Sequence, residues 1–219
     1  MQIGIIGGTG PAGSALGARL ASVGYEVTLG SREAERAGAV ADAIRDQWPA
    51  LSLALNGDSN EVAARADVVV VATPWDSAPP TVAALERHLD GKIVVSMANA
   101  LARVGADFYP LLPPRGSIAV QVQGAVPRSR VVAAFHHLPA KEVGVLDHPV
   151  ECDVLVCGDD RSAVDVVGTI AGKIPGCRAL EAGSLSSAAA IEAFTATLLQ
   201  LNIRYKSRVA PKFAGIPLG

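Results

Sequence analysis

The strongest constraint on the fold is a glycine-rich stretch near the start of the chain, Gly7-Gly8-Thr9-Gly10-Pro11-Ala12-Gly13. The apolar run Ile3 to Gly7 leads into it and predicts a buried strand. A helical pattern follows, with Pro11 in the first turn, where its missing N–H is not needed. The pattern G-x-G-x-x-G therefore lies between a strand and a helix, which is the context that makes it informative.

Strand and helix patterns alternate through the first hundred residues. Alternation of this kind predicts a doubly wound parallel sheet of the Rossmann type, in the α/β class. The strands are short and apolar throughout, as expected for parallel strands buried on both faces. After Ile3–Gly7, we expect strands at 25–30, 51–55, 67–73 and 92–97, and a helix that starts at Ser31 as N-cap.

The second half of the chain is less regular. It predicts strands at 130–138 and 153–158, a helix at 160–174 and a long terminal helix at 186–206. Three prolines, Pro110, Pro113 and Pro114, mark a loop between the two parts. We expect a Rossmann domain over residues 1–140 and a small C-terminal α/β cap over residues 141–219.

Composition excludes several functional classes. The 219 residues carry a net charge of −2, which argues against nucleic acid as a partner. No apolar run approaches the roughly 20 residues of a membrane helix, and the apolar start lacks a basic leader. The three cysteines form no C-x-x-C pair, which favours a reduced cytoplasmic protein.

The glycines have a direct physical interpretation. Early glycines allow a tight turn that a pyrophosphate can approach closely, and the helix that follows offers free N–H groups and the positive end of its dipole. Thr9 adds a hydroxyl donor, whereas Gly13 would let the helix pack on the strand. The alternative is a glycine-rich turn that binds nothing. The context favours a dinucleotide site.

The end of the second strand predicts which dinucleotide binds. Proteins that prefer NAD usually carry Asp or Glu there, bonded to the ribose 2′-hydroxyl. Here Ser31 and Arg32 take that place, and Arg36 follows one helical turn later. A hydroxyl and two guanidinium groups would bind a 2′-phosphate, so we expect NADP(H). The alternative is that both arginines are surface charges paired with Glu33 or Glu35.

Ligands of an open parallel sheet lie beyond the carboxyl ends of its strands. The segments ATPWDS and SMANAL follow the fourth and fifth predicted strands, so they should line the nicotinamide end. Trp75 could instead be a half-buried packing residue, and Asn99 could cap its loop rather than hold the ribose. The residues expected at this end are Thr73, Pro74, Trp75, Asn99 and Leu101.

Six short segments carry a resemblance to a known family. They are GGTGPAG, GSRE followed by Arg36, ATPW, HHLPA, VCGDD and EAGSLSS, in this order. Together they resemble the F420-dependent NADP reductases, from Met1 to about Leu201. The resemblance implies reversible hydride transfer between C4 of nicotinamide and C5 of the deazaflavin coenzyme F420. It also implies a Rossmann domain with a small C-terminal cap, in a homodimer.

The resemblance also implies roles for particular residues, carried over by position. The phosphate loop would be Thr9, Gly10, Pro11 and Ala12, and the 2′-phosphate site would be Ser31, Arg32 and Arg36. Four further residues would line the nicotinamide and deazaflavin cleft. The loop after the fifth strand departs from the family pattern, in which it is often apolar with a proline. The four cleft residues are Trp75, Asn99, Leu101 and Ala140.

The sequence contains no convincing group of side chains for acid-base, nucleophilic or metal chemistry. His136 and His137 are expected in a strand, where neighbouring side chains face opposite sides, so they cannot both face one site. Either one of them touches the deazaflavin or both are structural. Asp159 and Asp160 are more typical of a turn and helix cap than of a metal site. We therefore expect no catalytic side chain and no metal, because hydride chemistry belongs to the cofactors.

The basic C-terminal stretch leaves two interpretations open. Arg204, Lys206, Arg208 and Lys212 could attract the anionic phosphodiester and oligoglutamate tail of F420, or they could be a solvated helix end. The sequence predicts an NADP-dependent oxidoreductase with F420 as second substrate. The alternatives are an NADPH-dependent reductase of an imine, carbonyl or flavin on the same fold, and a non-catalytic NADPH-binding sensor.

Overall fold

Eight strands form one mixed sheet in the computed structural model of the protein, which describes residues 1–216. A separate hairpin adds two short strands, β6 (Leu101–Val104) and β7 (Asp107–Pro110). The sheet strands are β1 (Gln2–Ile6), β2 (Glu26–Ser31), β3 (Leu55–Ser59), β4 (Val68–Val71), β5 (Ile93–Ser96), β8 (Arg130–Ala133), β9 (Cys152–Gly158) and β10 (Cys177–Glu181).

Helices connect the strands and cover both faces of the sheet. The long ones are α1 (Pro11–Ser22), α2 (Ala34–Gln47), α8 (Arg161–Gly172) and α9 (Ala188–Tyr205). The shorter ones are α3 (Asn60–Ala63), α4 (Ala78–Ala84), α5 (Glu86–Leu89), α6 (Ile118–Ala125) and α7 (Ala140–Val143). Two 3₁₀ turns lie at Pro49–Leu51 and Leu185–Ser187. No described helix is long and apolar enough to cross a membrane.

The strand order is β10-β9-β8-β5-β4-β1-β2-β3. From β3 to β8 the neighbours are parallel, and the order reverses at β1 and β4, which is the switch point of a Rossmann sheet. Apolar residues alternate between the two faces, so Ile5 and Val70 pack on one side and Ile6 and Val69 on the other. The predicted α/β Rossmann fold is confirmed.

The C-terminal part of the chain continues this sheet. Strand β9 pairs antiparallel with β8, and β10 pairs parallel with β9. The segment between β8 and β9 is held against the N-terminal part by the buried Arg19 of α1. The guanidinium of Arg19 donates to the carbonyl oxygens of Val143, Leu146 and His148 at 2.9, 3.3 and 3.0 Å. Residues 140–148 are thereby held against α1, beside the glycine turn.

Two predicted element boundaries are wrong. The third strand was expected at 51–55, but Leu53 is 92% exposed and β3 begins at the buried Leu55. Polar residues fit this strand because it lies at the sheet edge, paired on one side only. Ser31 ends β2 instead of capping α2, whose N-cap residue is Glu33.

Candidate functional site

The glycine turn has the geometry that a close ligand approach requires. Gly7 adopts a left-handed φ of +71°, which non-glycine residues rarely adopt, and Gly10 is the N-cap residue of α1. A Cβ on Gly13 would lie 3.0 Å from both Ala72 Cβ and Gly8 Cα, so this glycine packs the helix on the strands. Asn60 Oδ1 accepts a 3.0 Å hydrogen bond from Gly7 N, which fixes the turn.

One cleft of about 1060 Å³ opens above this turn, at the carboxyl ends of β1, β4 and β5. Its walls come from both parts of the chain, since α1, α7 and α9 all contribute residues. Every residue predicted for the site lines this one cleft. The lining includes Thr9, Gly10, Pro11, Ala12, Ser31, Arg32, Arg36, Trp75, Asn99, Leu101 and Ala140.

The arginine end of the cleft lies at the carboxyl end of β2. Ser31 is buried, and its Oγ accepts a 3.2 Å hydrogen bond from Glu33 N. Arg32 and Arg36 are exposed, and neither forms an ion pair with Glu33, Glu35 or another described acidic residue. The structure therefore does not support the alternative in which these arginines pair with Glu33 or Glu35. Two arginines without an ion pair among the described residues therefore line this end of the cleft.

Asn99 is held in place from two sides. Its Nδ2 donates to His136 O at 3.0 Å, and its Oδ1 accepts from Thr195 Oγ1 at 3.2 Å. Strand β5, which ends three residues earlier, places Asn99 in the cleft, and helix α9 brings Thr195 to it. Trp75 is half-buried, packed on the core while it lines the cleft. The protein itself therefore holds the amide in one orientation.

The two histidines were expected in a strand facing opposite sides, and this prediction is wrong. Strand β8 ends at Ala133, and Phe135 takes a left-handed φ of +66°, which turns the chain sharply. Both residues line the cleft as a consequence, and their ring centroids lie 6.0 Å apart with the planes 19° apart. Strand propensity alone could not predict this reversal, because no glycine or proline follows the β-branched Val131 and Val132 before the chain turns at Phe135.

The buried histidines are neutral near pH 7. Burial, together with the neighbouring His137, lowers the pKa of His136 to about 3. Burial also lowers the pKa of His137 to about 4. Nε2 of His137 lies 3.2 Å from Leu155 N, so one ring atom has a backbone partner. Neither ring nitrogen of His136 has a partner within residues 1–216.

Unpartnered buried polar atoms at the cleft point to a ligand, because burying such atoms without a hydrogen bond is costly. Thr73 Oγ1, at the carboxyl end of β4, is buried without a partner among the described residues, as are both nitrogens of His136. The cradle of the glycine turn and the two free arginines match the phosphates of NADP. The residues present therefore fit a dinucleotide with a polar ring at its far end.

Several lining residues were missed because only the folded chain brings them here. They include Thr195, Leu198, Leu199 and Asn202 on α9, and Lys141 on α7. The spacing of apolar residues in α9 does not indicate that one side of this helix would lie beside the residues that follow β4 and β5. The signal for Asn60 was present, because this residue directly follows β3 at the carboxyl edge of the sheet.

The adjacent aspartates both accept backbone hydrogen bonds. Asp160 is the N-cap residue of α8 and accepts from Ala163 N at 2.8 Å. Asp159 Oδ1 accepts from Leu185 N at 2.9 Å. Both carboxylates therefore serve as caps, and no group of three or more metal-ligating side chains occurs in the part of the chain that the structure describes.

The sheet order, the glycine turn and the ligand-sized cleft at the switch point define a dinucleotide-binding protein of the Rossmann class. Residues 2–100 match the family model described as NADP oxidoreductase, coenzyme F420-dependent. The chain is 39% identical to the F420-dependent NADP reductase of Methanocaldococcus jannaschii, over 95% of each protein. It is 34% identical to that of Methanothermobacter thermautotrophicus, over 96% of this chain and 93% of the relative.

A solved structure supports the same assignment. A proposed F420-dependent NADP reductase from Arthrobacter sp. FB24 superposes with a TM-score of 0.79 at 25% identity, covering 95% of this chain and 96% of that one. The sequence and the fold therefore agree along nearly the whole length. The chain belongs to the F420-dependent NADP reductase family.

Proposed function

We propose that this protein transfers a hydride reversibly between NADP(H) and the deazaflavin coenzyme F420. The observation that carries the proposal is that one continuous cleft joins the glycine turn, Arg32 and Arg36 to a far end lined by Asn99 and the histidines. Its volume of about 1060 Å³ lies just above the usual range for small-molecule sites, which suits two stacked ligands.

The nucleotide half follows from the N-terminal residues. The free N–H groups at the start of α1 would face the pyrophosphate, and Thr9 would add a hydroxyl donor. Ser31, Arg32 and Arg36 would bind the 2′-phosphate through charge-assisted hydrogen bonds. A carboxylate at this place would repel that phosphate, so the residues present favour NADP(H) over NAD(H).

The reacting half needs positioning more than proton chemistry. The hydride passes between C4 of the nicotinamide and C5 of the deazaflavin, and the two cofactors supply this chemistry themselves. The task of the protein would be to hold the two rings in contact and exclude water, which can supply several kcal/mol of the barrier. The fixed amide of Asn99 and the side chain of Trp75 would orient the nicotinamide.

We also propose that residues 141–219 complete the deazaflavin side of the cleft. Thr195 and Leu198 of α9 line the cleft, and the neutral His136 of the N-terminal part would offer one ring N–H and one acceptor nitrogen to a polar ring edge. Neutrality matters because an imidazolium would need a counter-charge in this buried position. In this scheme His136 binds and orients the ring and moves no proton.

The test is a mixing experiment. The purified protein is incubated with NADPH and oxidised F420, and the loss of the deazaflavin's visible absorption is followed, with NADH as the parallel control. Rapid bleaching with NADPH and little with NADH supports both halves of the proposal. Binding of NADPH without bleaching would redirect the function to a reductase of another acceptor, or to a non-catalytic sensor.

We propose further that the protein is a cytoplasmic homodimer that binds no nucleic acid. The β6–β7 hairpin exposes Val104 and Tyr109, 64% and 51% accessible, and Leu112 just beyond it is 89% accessible. An exposed apolar patch of this kind suits a second copy of the chain. Light scattering should give twice the chain mass, and Tyr109→Glu should return the mass to that of one chain.

The location and the partner class have separate support. The three cysteines are free thiols, as a reducing compartment requires. The net charge of −2 does not favour nucleic acid. Fractionation of the source cells and a filter-binding assay with duplex DNA would test these two points.

A further inference from the structure

Besides Arg32 and Arg36, the cleft is lined by three further cations, which we name the C-terminal cation group. Lys141 belongs to α7, and Lys206 and Arg208 follow α9. Two other cations of the same basic stretch do not line the cleft: Arg204 points elsewhere, and Lys212 pairs with Glu151 at 2.9 Å. The structure therefore separates the basic stretch into residues that face the site and residues that do not.

The backbone after α9 is built to turn this group toward the cleft. Lys206 takes a left-handed φ of 50°, which ends the helix and reverses the chain. The carbonyl of Asn202 accepts from the N–H groups of Lys206 and Ser207, and its Oδ1 accepts from Val209 N at 2.5 Å. One side chain and one carbonyl thus hold the whole turn, and residues 206–209 lie along the cleft.

A second anchor fixes the chain that follows. Asp153 in β9 is fully buried and pairs with Arg178 in β10 at 2.7 Å. Its Oδ2 also accepts from Phe213 N at 2.6 Å, while Arg178 donates to Phe213 O at 2.9 Å. The segment from residue 206 to 213 is therefore held at both ends, and its backbone has a defined path.

Two members of the cation group have no counter-charge. Within residues 1–216, Lys141 and Lys206 form no ion pair, while Arg208 pairs with Glu142 at 2.5 Å. The phosphates of NADP are already matched by the start of α1 and by Arg32 and Arg36. The cleft thus offers two unpaired cations besides the two arginines assigned to the nucleotide, and an anionic second ligand would use them.

We propose that Lys141, Lys206 and Arg208 bind the anionic tail of the deazaflavin coenzyme, its phosphodiester and γ-linked glutamates. This inference rests on the proposed function. It assigns a tail subsite formed where α7 meets the turn after α9. The ring itself is bound elsewhere in the cleft, so binding of the tail and binding of the ring can be measured separately.

The experiment compares two fluorescent deazaflavins at equilibrium, without NADP(H). One is F420, and the other is its tail-less riboside, which has the same ring but no phosphodiester or glutamate. In Lys141→Gln/Lys206→Gln, the Kd for F420 should rise about three- to tenfold, the effect of two exposed ion pairs. The Kd for the riboside should stay unchanged. Added salt should weaken binding of F420 in the wild type more than in the variant.

Arg204→Gln is the matched control, because it removes one cation two residues from Lys206 but outside the cleft. Its Kd for F420 should equal that of the wild type. An equal loss in the control, an equal loss for the riboside, or a raised Kd for NADPH in the double variant would each overturn the tail subsite. If wild-type protein binds neither deazaflavin, the proposed function fails and this inference fails with it. If both bind and the double variant changes neither Kd, only the tail subsite fails.

Discussion

Thr195 in the last helix donates a hydrogen bond of 3.2 Å to Oδ1 of Asn99, in the loop that follows β5. The bond joins residues 96 positions apart, and both residues line the cleft. Asn99 also donates to His136 O, so its amide is fixed in one orientation. A side chain that is held in this way loses no conformational entropy when the ligand binds.

Thr195→Val keeps the shape of residue 195 and removes its hydroxyl. We expect Asn99 to lose its fixed orientation, and kcat for hydride transfer to fall about three- to tenfold, the value of one hydrogen bond. The Kd for NADPH should stay the same, because the phosphates and their partners are untouched. Thr195→Ser should stay near wild type, and an equal loss in both variants would argue against the positioning role.

Arg32→Ala/Arg36→Ala should change the preference between the two nucleotides. Each lost charge-assisted bond is worth about 1.5–3 kcal/mol, so KM for NADPH should rise at least tenfold while KM for NADH barely changes. Arg45→Ala is the control, since Arg45 lies on α2 like Arg36 but pairs with Asp42 outside the cleft. A parallel rise in KM for NADH would contradict the 2′-phosphate site.

The buried histidines should make stability fall with acid. Their pKa values of about 3 and 4 in the folded protein lie below the 6.5 of the unfolded chain, so below pH 6.5 the unfolded state binds more protons. Each histidine then removes about 1.4 kcal/mol of unfolding free energy per pH unit. Buried Glu192 acts in the opposite direction, because burial raises its pKa to about 7.

These effects predict a net slope for the wild type between pH 6.5 and 4.5. Two histidines act against one glutamate, so unfolding free energy from urea titrations should fall by about 1.4 kcal/mol per pH unit. In His136→Phe, one histidine and Glu192 should cancel, and the slope should approach zero. A slope equal to that of the wild type would mean that His136 does not stay neutral in the folded protein.

Gly4→Ala should destabilise the protein strongly. A Cβ there would lie 1.8 Å from Ala63 O, a backbone atom of α3 that cannot move without moving the helix off β1. We expect a loss of about 3 kcal/mol or more in thermal or urea unfolding. Gly38→Ala, in open space on α2, should instead gain about 0.5–1 kcal/mol. Similar effects at both positions would contradict the close packing of α3 on β1.

The N-terminal half of the site could be predicted because its signals are local. The glycine turn, Ser31, Arg32 and Arg36 follow directly from strand ends, and a parallel sheet brings strand ends to one edge. The reversal at Phe135 could not be predicted, since a left-handed φ at phenylalanine is set by packing and not by local propensity. The same holds for Thr195 and the turn at Lys206, which reach the cleft only through long-range packing.

The third strand shows how a pattern can mislead when an edge strand is polar. Alternating leucines at 51–55 resemble a half-buried strand, yet Leu53 faces solvent and the real strand carries Asn56 and Asp58. An edge strand has only one neighbour, so pairing with β2 tolerates this polarity. The apolar rule that identified β4 and β5 holds only for strands in the middle of the sheet.

The walls of the cleft include the glycine turn near the start of the chain and α9 near its end. A ligand that touches both therefore joins them, and the free energy of its binding adds to the cost of detaching α9 by RT ln(1 + [L]/Kd). At a ligand concentration of 100 times Kd this is about 2.7 kcal/mol. Amides in the middle of α9 would then exchange with deuterium about a hundredfold more slowly, although they contact no nucleotide. The concentration of cofactor therefore also determines how long α9 stays folded against the rest of the chain.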